Sequence, residues 1–468
     1  MPALVGALQA IEHELLVFAL FFFIIGMADE LAIDLSWLWL RLTGRAESRR
    51  LAEWSAGEPL SGPIAVFIPA WREAEVIGAT VSHLLAVWPQ RALRLYVGCY
   101  ANDSATLAAA MAGAGNDPRV RLVIHDRVGP STKADCLNRL HEALLADERR
   151  WGRPFHGVVL HDAEDMVHPY ALSAIDRSLM GYDFVQLPVR PELSPRSRWI
   201  AGHYADEFAE AHGKAMVVRD ALGAGIPAAG VGCGIGRDML ARLARLRRME
   251  GETGPFAAEC LTEDYELGLL VARGGGRSCF LRLRDARGAL VATRSYFPDT
   301  LGTAVRQKTR WIHGIAFQSW ERLGWGARAA EIWMAIRDRR GPLTALVLAA
   351  AYALIVIEGL LAFAALAGWA KPLVPTPLMQ TMMALGLAGC AWRAAIRFVF
   401  TAREYGFREG LRGVLRIPLS NVIAIMAGRR AFWFYLKSLR GDVVAWDKTR
   451  HSAHPATDAA AATAKVQA

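Results

Sequence analysis

The sequence predicts an α/β protein: a sheet built of parallel βαβ units in the middle of the chain, with membrane-spanning helices on either side. Three observations predict it. From Ile64 onward, short β-rich runs alternate with helical runs, the pattern of βαβ units. The strand runs are almost continuously apolar, as expected when helices cover both faces of a sheet. Hydrophobic residues make up 53% of the 468 positions, and they concentrate before Leu42 and after Pro342.

The first unit is residues 1–42, an N-terminal transmembrane helix. An unbroken apolar stretch runs from Leu15 to Met27. A span needs about 20 residues, so the helix must continue through Asp29, Glu30 and Asp34. Glu30 and Asp34 lie one turn apart on one face, and ionisable groups at that depth turn toward protein or water. Glu12 and Glu14 precede the run and no small-residue cleavage site follows it. It therefore reads as a retained helix, not a removed signal peptide. A basic linker, 43–62, follows. Arg41, Arg45, Arg49 and Arg50 put the middle domain in the cytoplasm and the N-terminus outside.

The net charge is +9. Its basic residues sit beside apolar runs, as at Arg337, Arg339, Arg340, Arg429 and Arg430. That fits membrane flanks, and with no zinc-finger or RNP-like segment it argues against a nucleic-acid partner. The six cysteines are far apart and include no Cys-x-x-Cys, so they read as reduced cytoplasmic thiols.

Residues 63–320 form the α/β domain. Strands are predicted at Ile64–Pro69, Leu93–Tyr100, Arg119–His125 and Gly157–Asp162, and helices at Glu75–Trp88, Lys133–Leu145 and Pro169–Met180. Ligands on such sheets gather beyond the carboxyl ends of the strands. There the sequence places "PAWREAE" (Pro69–Glu75), "ANDSAT" (Ala101–Thr106) and "DAED" (Asp162–Asp165). Acidic groups at successive strand ends repel and call for a cation or hydrogen-bond donors. A hard divalent ion meets that need and shares its remaining positions with substrate phosphates. No P-loop is present, and no Gly-x-Gly-x-x-Gly follows the first strand, so neither usual nucleotide loop applies.

Thr262 precedes Glu263, Asp264 and Glu266 at the head of an apolar run. They read as an N-cap with charges suited to the helix dipole, as carboxylates aimed at a site, or as both. Gln307, Arg310 and Trp311 share one helix face by their i, i+3, i+4 spacing. His161, His203, His212 and His313 lack a ligand pattern and read as structural.

Residues 321–342 are an interfacial linker and 343–400 transmembrane helices. Leu343–Trp369 is long enough to span. Leu378–Trp392 reaches span length by extending to Phe400 with Arg393 and Arg397 snorkelling. Residues 401–455 read as interfacial or re-entrant helices; Val414–Gly428 is too short and polar to assign. The Ala-rich stretch 456–468 reads as a disordered tail.

Four stretches in order carry a resemblance: "TKADCLN" (Thr132–Asn138), "HDAED" (His161–Asp165), "LTED" (Leu261–Asp264) and "QKTRW" (Gln307–Trp311). Together, from about Ile64 to Gly314, they resemble the membrane-bound family-2 glycosyltransferases of the cellulose and hyaluronan synthase kind. The ending "WDKTRHSAHP" (Trp446–Pro455) is similar to that of the subgroup called bacteriophage adsorption protein B. The resemblance implies a GT-A fold, with a Rossmann-like mixed, mostly parallel sheet, and inverting transfer from a nucleotide sugar. It implies Asp264 as general base with Glu263 beside it, and Mg²⁺ or Mn²⁺ held by Asp162 and Glu164. Donor contacts are implied for Pro69, Trp71, Glu73, Asn102, Asp103, Lys133, Asp162, Gln307 and Arg310. Acceptor contacts are implied for Trp311 and for Gly232, Cys233 and Gly234 of a Gly-rich loop. Asn102 stands where the family has Asp. The implied partners are a nucleotide-sugar donor (UDP), a glycan or lipid-linked acceptor, membrane lipids and an outer-membrane export partner, at the bacterial inner membrane. The alternative is a non-catalytic membrane scaffold that keeps the fold; a membrane phosphotransferase would explain the acidic strand ends but not the Arg-Trp helix.

Overall fold

The computed structural model describes residues 2–46, 48–51, 57–369, 374–441 and 453–457. The motif Trp446–His451 and the tail from 458 lie outside the described residues.

In chain order the elements are α1 (Pro2–Leu42), β1 (Arg49–Arg50), β2 (Ile64–Pro69), α2 (Ile77–Val87), β3 (Leu93–Tyr100), α3 (Ser104–Ala114), β4 (Val120–His125), α4 (Lys133–Trp151), β5 (Gly157–Leu160), α5 (Ala171–Leu179), β6 (Phe184–Gln186), β7 (Val189–Glu192) and α6 (Ile200–Glu210). A π-helical turn, Ala211–Ala215, joins α6 to α7 (Met216–Ala221). Then come β8 (Cys233–Gly236), α8 (Arg237–Met249), α9 (Glu263–Arg273), β9 (Ser278–Phe280), β10 (Leu283–Arg284), β11 (Thr293–Tyr296) and α10 (Leu301–Ile312), which runs through a second π-turn into α11 (Ser319–Leu323). The last helices are α12 (Ala329–Arg339), α13 (Gly341–Leu366), α14 (Pro377–Tyr405), α15 (Phe407–Leu415) and α16 (Ile417–Ser438).

The main sheet has seven strands in the order β4-β3-β2-β5-β8-β6-β9. All its pairs are parallel except those that β8 makes with β5 and β6. A separate parallel ribbon pairs β7 with β11, Val189 opposite Thr293 and Glu192 opposite Tyr296. Every residue of Ile64–Ile68 is buried, because helices cover both faces of the sheet. One apolar cluster, centred on Val66, Val97 and Trp88, lies under α2 and α5. The other, centred on Phe67, Leu137 and Leu240, lies under α4 and α8.

Local signals set the helix ends. Thr132 caps α4 by accepting the Asp135 N–H at 3.2 Å. Gly152, with φ 68°, closes it in the left-handed conformation. The helix α3 has no counterpart among the sequence predictions. Its segment SATLAAAMAGA is too uniformly small to show a period, and Asp103 caps it.

Among the described residues three helices, α1, α13 and α14, are long and apolar enough to cross a membrane; α15 and α16, bent by 50°, make a fourth if counted as one span. The unassigned segment 414–428 is therefore the bend and first half of α16. Asp29, Glu30 and Asp34 of α1 face protein. Asp29 accepts the Trp333 indole N–H at 2.7 Å and pairs with Arg340. Glu30 pairs with Arg337 at 3.0 Å and Arg393 at 3.2 Å, and Asp34 with the buried Lys214. These pairs tie α1 to α12, α14 and the first π-turn.

Candidate active site

The carboxyl ends of β2, β3 and β5 open into one cleft of about 350 Å³. Its far wall is built by the head of α9, by α10 and by Phe208 of α6. The same strand ends carry the acidic stretches of the sequence, and the cleft gathers Pro69, Trp71, Glu73, Lys133, Asp162, Glu164, Glu263, Asp264, Gln307, Arg310 and Trp311.

Backbone geometry aims these groups. Asp103 accepts the Arg72 N–H through Oδ2, and Arg72 takes a positive φ of 54°. That conformation is costly for a non-glycine residue, and it sets the turn that follows Trp71. The Trp71 ring meets Tyr100 edge-on at 4.9 Å. In the acidic loop, Asp165 points inward: its Oδ2 accepts His161 Nδ1 at 2.8 Å and the Asp162 N–H at 3.0 Å. His161 is thus a structural partner of the loop. The loop's other two carboxylates, Asp162 and Glu164, line the cleft.

The charges at the centre do not balance locally. Lys133 Nζ lies 2.6 Å from Asp162 Oδ1, with Glu263 and Asp264 close enough to act on it. Burial opposes the Lys133 charge, but the three carboxylates outweigh it and hold its pKa above the ordinary value. Burial, with Asp264 next, pushes the Glu263 carboxyl up to about 8. Burial also raises Asp264, with Lys133 and Arg310 acting the other way. Three carboxylates around one ammonium form a donor set that suits a further cation. Among the described residues, no three or more His, Cys, Asp or Glu side chains close on a point by themselves.

Glu263 therefore favours the protonated form on folding, which gives a pH prediction. Its stability contribution is intact below the unfolded value of 4.5 and is lost as pH rises through about 8. Relative to wild type, Glu263→Gln should gain thermal midpoint steadily between pH 5 and pH 8, measured by melting without divalent cations. A difference independent of pH would show that Glu263 is not held this way.

The trio at the head of α9 divides. Glu263 and Asp264 line the cleft, and Asp264 Oδ1 accepts the Tyr265 N–H at 2.7 Å. Glu266 turns to the other side, where Arg322 Nε reaches its two oxygens at 3.0 and 2.9 Å. Thr262 occupies the N-cap position but its side chain makes no capping bond. The Thr262 cap bond is thus not made, while all three acids stand in the first turn of α9, where the helix dipole favours them.

Gln307, Arg310 and Trp311 do share a face of α10 and all line the cleft. Gln307 Oε1 is buried without a hydrogen bond. Trp311 packs on Tyr204 at 6.0 Å and Phe208 at 6.3 Å, in a cluster that includes Ile423 and Ala427 of α16. The cleft wall is thus continuous with the apolar helices.

Two sets of expected contacts fall elsewhere. Asn102 Nδ2 donates to Gly129 O at 2.8 Å and Oδ1 accepts the Gly129 N–H at 2.9 Å, so both ends of the amide clamp a loop. Asp103 holds Arg72 and caps α3. Neither lines the cleft. The Gly-rich loop is largely strand β8, paired with β5 and β6. Cys233 is fully buried there, and burial pushes its thiol up to about 12. A Cβ at Gly234 would overlap Ile175 and one at Gly232 would overlap Thr293, so both glycines serve packing.

The glycine that meets the site is Gly230, which sequence reasoning did not single out. It has φ 76°, and a Cβ there would strike the Asp264 carboxylate, with Lys133 Nζ 3.1 Å away. Its place at the start of a Gly-rich run was the only signal. Gly230→Ala should cost about 1–2 kcal/mol in stability, the penalty of a Cβ at positive φ. By displacing Asp264 it should lower turnover about 10²-fold, read from initial rates beside a melting curve.

A family model described as glycosyltransferase like family 2 matches residues 61–314. Bacteriophage adsorption protein B of Escherichia coli K12 is 34% identical over 461 residues, covering 92% of this chain and 61% of that protein. Bacteriophage N4 adsorption protein B of Escherichia coli O157:H7 gives the same figures. The chain thus spans 61% of the length of these curated relatives. Among solved structures, the mannosyltransferase PcManGT from Pyrobaculum calidifontis, in complex with GDP-Man and Mn²⁺, superposes with a TM-score of 0.51 at 17% identity, covering 91% of this chain and 99% of that one. That likeness concerns the fold, which is GT-A. The family match takes in more than half of the sequence and every motif of the cleft: the chain belongs to glycosyltransferase-like family 2.

Proposed function

We propose that this glycosyltransferase moves a sugar with inversion from a nucleotide donor to a growing or lipid-linked glycan at the bacterial inner membrane. The observation that carries the reading is the convergence of Asp162, Asp264, Arg310 and Trp311 on one cleft that abuts the apolar helices.

An acceptor hydroxyl must lose its proton as it attacks the anomeric carbon, and a positioned carboxylate takes it. Asp264 is that base: it lies at the cleft wall, between the acidic loop and α10. Glu263, favouring its protonated form, leaves the negative charge of the pair on Asp264. Lys133 and Arg310 bind the donor diphosphate, Arg310 through a charge-assisted fork. Trp311 offers its face to the acceptor sugar, and the unpaired Gln307 Oε1 accepts a sugar hydroxyl. Pro69, Trp71 and Glu73 form the donor's nucleoside side. Asp162 and Glu164 would hold Mg²⁺ or Mn²⁺, which supplies charge neutralisation to the leaving diphosphate. Uridine as the base follows from the family resemblance, since Asn102 and Asp103 are engaged elsewhere. The arginines flanking the helices favour a cytoplasmic catalytic domain and an external N-terminus. An export partner would take the glycan onward.

The test is a screen of radiolabelled UDP- and GDP-sugars against membranes holding the full chain with Mg²⁺ or Mn²⁺, with product size read out. Incorporation that Asp264→Asn abolishes is the expected result. No transfer or donor hydrolysis with any sugar nucleotide would instead leave the scaffold reading standing. Trp311→Ala should raise the acceptor KM about tenfold, equivalent to about 1.4 kcal/mol, with the donor KM unchanged.

A further inference from the structure

A second cavity, of about 740 Å³, lies outside the catalytic cleft. Five arginines line it: Arg190, Arg284, Arg287, Arg294 and Arg403. Its carboxylates are Asp285 and Glu404, so the lining carries a surplus of three positive charges. Counting the flanking Arg282 and Glu192 leaves that surplus unchanged.

The carboxylates are already engaged. Glu404 Oε1 takes Arg282 at 2.6 Å and Arg284 at 2.5 Å. Glu192 Oε1 takes Arg190 at 2.9 Å and Arg294 at 3.3 Å. Asp285 Oδ1 accepts the Ala289 N–H at 2.8 Å, and Oδ2 lies 3.6 Å from His168. The side chains of Arg287 and Arg403 have no hydrogen bond or ion pair among the described residues. His168 does not add charge, because burial holds it below its ordinary value. Burial lowers Arg282 to about 10, with Glu404 opposing and Arg403 and Arg284 assisting. Crowded guanidinium groups of this kind are stabilised by an anion with several oxygens, which their planar forks match.

We propose that this cavity is a second anion-binding site, for a multiply phosphorylated small molecule or lipid headgroup. The size of the cavity exceeds the need of a single phosphate and suits a nucleotide-sized ligand. Arg403 lies ten residues beyond Arg393 on α14, about 15 Å along the helix toward the catalytic domain.

The site stands directly behind the catalytic cleft. In the β7–β11 ribbon, Val189 and Ser295 line the cleft while Arg190 and Arg294, paired in register, line the cavity. Arg294 also exchanges backbone hydrogen bonds with Met166, at 2.7 and 2.9 Å. Met166 follows the acidic loop. A ligand on Arg294 therefore bears on the segment that carries Asp162 and Glu164.

The test is equilibrium dialysis of the detergent-purified full chain against labelled inorganic pyrophosphate, without divalent cations. Wild type should bind one equivalent at this site, since the catalytic cleft without its cation turns carboxylates toward a diphosphate. Arg287→Ala/Arg403→Ala should lose it, with at least tenfold weaker binding and an unchanged thermal midpoint, since neither side chain has a partner to lose. Arg310→Ala should keep that equivalent, which separates this site from the catalytic one. Wild-type binding in the double variant, or loss of all binding in Arg310→Ala alone, would overturn the proposal. Repeating the dialysis in phosphatidylcholine nanodiscs with and without phosphatidylglycerol assigns the source. Displacement by phosphatidylglycerol supports the site as a headgroup site, and persistence in both supports it as a site for a soluble anion.

Discussion

Asp264→Asn is expected to lower kcat by about 10³-fold, within the range for loss of a general base, while the dissociation constant for the donor nucleotide stays within about twofold. The substitution keeps the shape of the side chain and the acceptor for the Tyr265 N–H. It removes only the basicity. Asp264 touches the donor side through charge, since Lys133 and Arg310 both act on it, and that term is small once Asp162 remains beside Lys133. Single-turnover transfer measured beside nucleotide titration separates the two effects. A variant that turns over at the wild-type rate would remove Asp264 from the mechanism. A parallel loss of nucleotide affinity would make it a donor-site residue.

Arg416→Met is expected to destabilise the protein by about 3–5 kcal/mol, the effect of leaving buried charges without their partner. Arg416 is 1% exposed and sits at the bend between α15 and α16. Its guanidinium donates to both oxygens of the buried Asp206 at 2.7 Å and to Glu409 at 3.0 Å. Gly202 leaves the space it occupies: a Cβ there would come within 2.9 Å of Arg416 Cζ. Asp206 lies on α6, the helix whose Tyr204 and Phe208 back Trp311. Melting in detergent should show the loss. Asp206→Leu/Arg416→Met should recover much of it, because an apolar pair replaces both charges. If the single variant melts like wild type, the pair does not hold the bent helices to the domain.

The alternation of apolar strands with helices was legible because each strand's burial is written in its own residues. The α10 face was legible because helical spacing is a local rule. The division of the α9 trio was not, since Glu263 and Glu266 differ only in what packs opposite them, the cleft for one and Arg322 for the other. Asn102 fits an Asp-rich motif in sequence, yet Gly129 takes both ends of its amide. The Gly-rich run read as a loop because a strand of small residues has no alternation to show, and Ile175 explains Gly234 only in three dimensions. The arginines of the second cavity come from stretches as distant as Arg190 and Arg403, so no linear pattern could mark them.

The sequence by itself determined the α/β domain between apolar helices, the acidic strand ends and the Gln-x-x-Arg-Trp helix. These follow from short-range periodicity and from residue chemistry. Only the tertiary structure decided which carboxylates share the cleft, which glycine abuts Asp264, and where positive charge gathers without a partner. Those are properties of groups distant in the chain, and their energies depend on what stands within a few ångströms of them.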